Sequence, residues 1–413
     1  MPLLKTGVKG TWLACFLIGA FLTIASFVFI NMAQAYLLTD GLKWPRERLG
    51  RAQGNLSSTD ELVALFMVVI WGVISDRIGR RPVFAAGFLL MSLALFLYPL
   101  AGSVYGSGAS VFNSLLFYRV IFAFGGSAAA DMLTVVVADY AGEGRRARLS
   151  GIMGFSTGLG ACFGVFVLVR AVAWMGIKGS FWLASALMAV GFLIVALGVK
   201  PAPKAASEDK ETVVVERCWW KKMVIGFKLV RSKPALVAAY LGAFVARGDS
   251  IMLPVFLSPW IASLNANQDA KTASKIVGYS QLMALLGAPL IGWLGDRFGR
   301  GKLMCFIALL SATSQASMLF LQDPTSKVAI LLVCLQGFAQ IGMIIGSMAV
   351  LAAEAPPESR GAVGGVYSLW GALGIIVISK LGGMLADGWM KSGPFALIAI
   401  FNLLLALASL FVL

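Results

Sequence analysis

The 413-residue sequence contains no histidine, which removes imidazole proton relays, His-ligated metals and Ser-His-Asp triads from consideration. Any proton chemistry must run through carboxylates. The side chains placed to do chemistry are a few ionisable groups inside long apolar runs: Arg119, Asp131, Arg247, Asp249 and Lys380. A charge at mid-bilayer costs at least a few kcal/mol, about 2.5–3.5 on insertion scales, so such groups read as functional. Arg119 heads the run Arg119-Val-Ile-Phe-Ala-Phe-Gly125-Gly126-Ser127, and Arg247 and Asp249 flank Gly248. Two positions apart on a helix, Arg247 and Asp249 point about 200° apart and do not neutralise each other. The guanidinium fork suits carboxylate or phosphate. Arg119 and Arg247 are therefore the candidates to bind an anionic group on a solute. Asp249 and Asp131 are the proton-coupling candidates, with Asp249 expected to pair with a basic group or to titrate. Gly248 is expected to loosen its helix. Asn31, Gln34 and Tyr36 are placed to hydrogen-bond the solute. Asp60 and Glu61 read as an acidic cap on the outer start of a helix, with proton capture as the alternative.

The elements that must carry these groups follow from composition. The chain is 59% hydrophobic and 13% charged, against about 25% charged in an ordinary soluble domain. Its mean hydropathy is +0.86. Twelve apolar runs are long enough to span a bilayer as helices: 11–38, 57–75, 83–102, 112–137, 149–174, 179–199, 235–260, 275–294, 302–321, 327–351, 361–386 and 393–413. With the N-terminus cytoplasmic, 21 of the 34 Lys and Arg fall in inner segments and 10 on outer ones. The formal charge of +15 is thus a topology signal, and no nucleic-acid partner is expected. Both termini are expected in the cytoplasm, with the bacterial inner membrane the expected location. Residues 200–234 form the longest polar stretch and divide the chain into residues 1–199, a cytoplasmic linker with an amphipathic interfacial segment, and residues 235–413. The five cysteines are scattered without paired spacing and read as packing. No metal site or cofactor is expected, and nothing assembles a catalytic nucleophile and base.

Two loop motifs recur. Gly72-Val-Ile-Ser-Asp76-Arg77-Ile-Gly79-Arg80-Arg81 returns 220 residues later as Gly292-Trp-Leu-Gly-Asp296-Arg297-Phe-Gly299-Arg300-Gly301. Ala138-Asp139, with Glu143 and Arg145, returns 215 residues later as Ala353-Glu354, with Glu358 and Arg360. Repeats in register imply duplicated six-helix halves. At these residues the chain resembles the major facilitator superfamily of secondary transporters. The stretch 72–81 fits that family's loop signature, with Ile74 where Leu is usual, and the arginine-plus-small-residue run from Arg119 resembles its fourth-span motif. Ala123 stands there where a glycine is common.

The resemblance implies an all-α integral membrane fold of twelve helices in two pseudo-symmetric six-helix bundles, working as a monomer by alternating access. It implies that Gly72, Asp76, Arg77, Gly79, Arg80 and Arg81, with Gly292, Asp296, Arg297, Gly299 and Arg300, form a conformational latch at helix N-termini. Glu143, Arg145, Glu358 and Arg360 belong to the same device. Gly72 and Gly79 are expected to allow close approach and a tight turn. Gly154, Gly158, Gly160 and Gly164 space small residues for helix contact, without the proline that drug–proton antiporters of this family often carry there. The function expected is secondary active transport of a small organic solute, preferably anionic, with a proton or counter-substrate as the coupled species. The alternatives are a drug–proton antiporter for hydrophobic or cationic compounds, and a non-transporting receptor or assembly factor on the same fold.

Overall fold

The computed structural model describes residues 3–102, 109–142, 145–200, 224, 226–264, 270–356 and 359–412; at 109, 147, 262–264, 300, 360, 361 and 412 it describes backbone alone. Glu143, Glu358, Cys218 and most of the 200–234 linker lie outside the described residues, as do the side chains of Arg300 and Arg360.

Long helices dominate because apolar runs in lipid must satisfy their backbone hydrogen bonds internally. They are α1 (Gly10–Tyr36), α2 (Leu49–Ile78), α3 (Arg80–Leu97), α4 (Ala109–Tyr140), α5 (Arg146–Phe163), α6 (Val172–Gly198), α7 (Ala235–Met252), α8 (Ala270–Phe298), α9 (Arg300–Ser317), α10 (Lys327–Glu354), α11 (Arg360–Gly388) and α12 (Gly393–Val412). Among the described residues, eleven helical segments are long and apolar enough to cross a membrane; α2 completes the twelve.

Helix α2 departs most from expectation. The apolar run predicts a start at 57, yet the helix begins at Leu49. Its first turns carry Gln53, Asn55, Ser57 and Ser58, which lower the hydropathy while Gln53, Ser57 and Ser58 are buried within the protein. Asp60 is therefore no cap. It sits eleven residues in, about 16 Å along the axis.

Three helices pass into π-helical turns: α1 into Leu37–Gly41, α5 into Gly164–Val169 and α7 into Leu253–Leu257. At the first, Leu42 N–H donates to Leu37 O, five residues back, at 2.8 Å. The α2–α3 and α8–α9 turns pivot on Gly79 (φ 97°) and Gly299 (φ 87°), conformations closed to side chains with a Cβ.

The chain divides into two compact units, residues 1–205 with 262–278, and residues 206–261 with 279–413. In the first, α1 packs on α4, α5 and α6, while α3 packs on α4 and α6. In the second, α7 packs on α10, α11 and α12, while α9 packs on α10 and α12. The same internal plan is used twice.

Glycines set the closest crossings. A Cβ on Gly160 would fall 2.2 Å from Phe21 O of α1, and one on Gly164 2.7 Å from Ala25 O. The matching crossing in the second unit has Gly374 of α11, whose Cβ would fall 2.1 Å from Phe244 O of α7. Gly154 faces open space, so only part of the glycine run is used for contact. Gly125 of α4 meets Gly87 of α3 backbone to backbone, which explains the small residues after Arg119.

Candidate functional site

Arg119 is completely buried on α4, ten residues from its start. Three residues from two other helices bond its guanidinium. Nε donates to Asp60 Oδ1 at 2.7 Å, and an Nη2 proton reaches Asp60 Oδ2, which makes a two-point ion pair with α2. Nη1 donates to Gln34 Oε1 at 2.9 Å, and Nη2 also donates to Asn31 Oδ1, both on α1. Tyr98, beyond the end of α3, donates its hydroxyl to the same Gln34 oxygen at 3.1 Å, and Gln34 Nε2 donates to Gln53 Oε1. The ring of Phe122 lies 5.7 Å from the guanidinium carbon.

This arrangement is chemically specific. A buried arginine without a counter-ion is strongly unfavourable, and a carboxylate meeting two guanidinium donors compensates it best. Asn31 and Gln34 were singled out for a solute; here they saturate Arg119. Tyr36 is buried on the same helix. Asp131, also on α4, is half-buried, with Oδ2 buried and lacking a hydrogen-bond partner among the described residues.

In the second unit Asp249 is 5% exposed on α7. A basic partner was one of two expectations for it; among the described residues its three hydrogen-bond partners are uncharged. Ser311 Oγ donates to Oδ2 at 3.1 Å and Gln315 Nε2 to Oδ1 at 3.1 Å, one turn apart on α9. Asn402 Nδ2 of α12 lies 3.3 and 3.4 Å from the two oxygens. Arg247 diverges from Asp249, as the 200° separation requires, and is exposed along α11; a Cβ on Gly371 would stand 2.9 Å from its Cγ. Gly248 does not loosen α7, which stays α-helical to Met252. It lets α11 approach instead, since a Cβ there would meet Ile378 at 2.8 Å. Lys380 is exposed on α11.

The loop motifs are braced within the first unit. Arg80 pairs with Asp76, donates to Ser75 Oγ at 2.7 Å and reaches Asp139 Oδ2 at 3.5 Å. The first motif is thereby tied to the second. Arg77 is exposed, and Arg81 and Arg145 are half-buried. The close approach expected at Gly72 is absent: a Cβ there, or at Gly292, meets nothing within 4 Å. In the repeat, Asp296 is exposed and Arg297 lies 5.3 Å from the Trp293 ring. Lys233 Nζ donates to Glu354 O at 2.9 Å.

Sequence reasoning missed Gln53, Tyr98, Ser311, Gln315 and Asn402 as site residues, and misread Asp60. It also passed over Gln336 of α10, 4% exposed with neither amide atom partnered among the described residues. Spacing held partial signals: Asn31 with Gln34, Gln53 with Asp60, and Ser311 with Gln315 each share a helix face.

The sequence matches the Major Facilitator Superfamily model over residues 11–259 and 239–413. It is 26% identical over 381 residues to magnetosome protein MamH of Paramagnetospirillum magneticum, covering 90% of this chain and 86% of that protein. Magnetosome protein MamZ of the same organism is also 26% identical, over 378 residues, and the chain spans 56% of its length. Multidrug resistance protein MdtG of Serratia proteamaculans is 21% identical, with 78% of this chain and 73% of that protein covered. Among solved structures, a D-xylose-proton symporter superposes with a TM-score of 0.77 at 15% identity over 98% of this chain and 97% of that one. The nucleoside transporter NupG (D323A mutant) superposes with a TM-score of 0.76 at 15% identity, over 97% and 99%.

Proposed function

The chain belongs to the major facilitator superfamily, a multi-pass membrane transporter and not an enzyme, and from that premise we propose that it moves a small organic anion by proton-coupled secondary transport. The buried Arg119–Asp60 pair carries this reading. Asp60 occupies the two-point anion position on Arg119, so a solute carboxylate or phosphate competes with it for one guanidinium. A proton on Asp60 removes its charge and releases the arginine to the solute. Proton and anion then bind together and leave together. Arg247 supplies an anion contact on the second half; Asp131 and Asp249 are further carboxylates for coupling. The loop motifs act as the conformational latch. The Lys and Arg bias supports cytoplasmic termini in an inner membrane, and the family supports a monomer.

Proteoliposomes loaded with a pH-sensitive dye and offered a panel of carboxylates and organic phosphates test this. At least one anion is expected to acidify the lumen, with the signal lost in Arg119→Ala and Arg247→Ala. Well-reconstituted variants that retain the signal, or a response confined to neutral or cationic compounds, would overturn the reading. The second reading, export of cationic compounds, is favoured by Asp131, whose Oδ2 is buried without a hydrogen-bond partner among the described residues. Cationic dyes in the same panel distinguish the two.

A further inference from the structure

The polar cluster around Asp249 has a composition that the ion pair of the first unit lacks. Its one ionisable group is the Asp249 carboxyl, it is almost fully buried, and its three hydrogen-bond partners among the described residues are neutral. Two acceptors in it are unused: Gln315 Oε1 and Asn402 Oδ1 are buried without a hydrogen-bond partner among the described residues, on side chains 2% and 0% exposed. A buried anion and two orphaned amide oxygens on adjoining side chains are a shared deficit of positive charge.

We infer that Asp249, Ser311, Gln315 and Asn402 form a binding site for a sodium ion within the α7–α9–α12 packing. The cluster offers five oxygens from four side chains: two of the carboxylate, one hydroxyl and two carboxamides. Hard cations take oxygen ligands of this kind. One carboxylate balances one positive charge, which selects a monovalent ion over calcium or magnesium. No group of three or more His, Cys, Asp or Glu exists among the described residues to hold a softer or more highly charged metal. A proton on Asp249 would reach one amide oxygen, whereas a metal ion reaches both. Gln315 presents its oxygen by a half-turn of its end group, exchanging an N–H facing the carboxylate for an oxygen facing a cation; Asn402 does the same by also giving up the bond its Nδ2 donates to Ile398 O at 3.0 Å. Ser311 and Gln315 sit one turn apart on α9, so both ligands arrive from one rigid face.

The inference deepens the coupling role proposed for Asp249, but binding is read without transport, so its failure leaves the anion reading standing. The full chain is purified in detergent and its thermal unfolding followed in NaCl, KCl or choline chloride at equal ionic strength. Sodium is expected to raise Tm saturably, by roughly 3–6 °C at ten times its Kd, with KCl and choline far weaker. Asp249→Asn should abolish the response, and Ser311→Ala should raise the half-saturating sodium concentration about tenfold through loss of one ligand. An equal response to the three salts overturns the proposal, as does a sodium response retained in Asp249→Asn. Where Asp249→Asn does not fold, an unchanged half-saturation in Ser311→Ala and Gln315→Met overturns it instead.

Discussion

Replacing Asp60 by Asn tests the central ion pair most directly. Of Arg119's five N–H donors, two go to Asp60, one to Gln34 and one to Asn31. Asparagine keeps one carbonyl oxygen for the fork but turns an amide toward the second donor and removes the negative charge. The arginine, with no exposed surface, is left buried with only neutral partners. Breaking one side of a buried pair costs about 3–5 kcal/mol. At about 2–4 °C per kcal/mol for a unit of this size, Tm should fall by roughly 6–20 °C. Arg119→Met should cost less, because Asp60 keeps 17% exposure and is able to bind a proton. The double variant removes both charges and should lose at least about 2 kcal/mol less than the two single losses added together. Fluorescence-monitored unfolding of the four purified proteins in one detergent gives the cycle. A Tm for Asp60→Asn within about 3 °C of the parent, or strict additivity in the double variant, would refute the pairing argument.

Two further perturbations test the packing. Gly160→Ala and Gly374→Ala each drive a Cβ into a backbone carbonyl of the partner helix and should destabilise by about 3 kcal/mol or prevent a monodisperse product on size exclusion, while Gly154→Ala, facing open space, should be neutral or gain up to about 1 kcal/mol. Gly79→Ala and Gly299→Ala should cost about 1–3 kcal/mol and open the α2–α3 or α8–α9 turn to limited proteolysis, whereas Gly72→Ala should leave the cleavage pattern unchanged.

Local chemistry was easy to read from the residues. The twelve apolar runs, the glycine turn at 79, and the divergence of Arg247 from Asp249 were all legible from local sequence. Partnerships across the fold were not legible. Asp60 and Arg119 are 59 positions apart, and Asp249 meets residues 62, 66 and 153 positions away. No periodicity couples such residues. The early start of α2 was hidden for a related reason: Gln53, Ser57 and Ser58 are buried by protein, and hydropathy treats them as though they faced lipid or water. Asp60 was misread as a cap because its helix was begun too late. The partners of Asp249 were not legible because serine and amide donors leave no charge in the sequence to notice.

The π-helical turns also record history. Those ending α1 and α7 begin at Leu37 and Leu253, 216 positions apart, within the 215–220 interval of the loop motifs. A structural irregularity shared by both copies is, by parsimony, older than the duplication that made them. The turn ending α5 at Gly164 has no counterpart in α11, which runs unbroken from Arg360 to Gly388. It was gained in one copy or lost from the other after they parted.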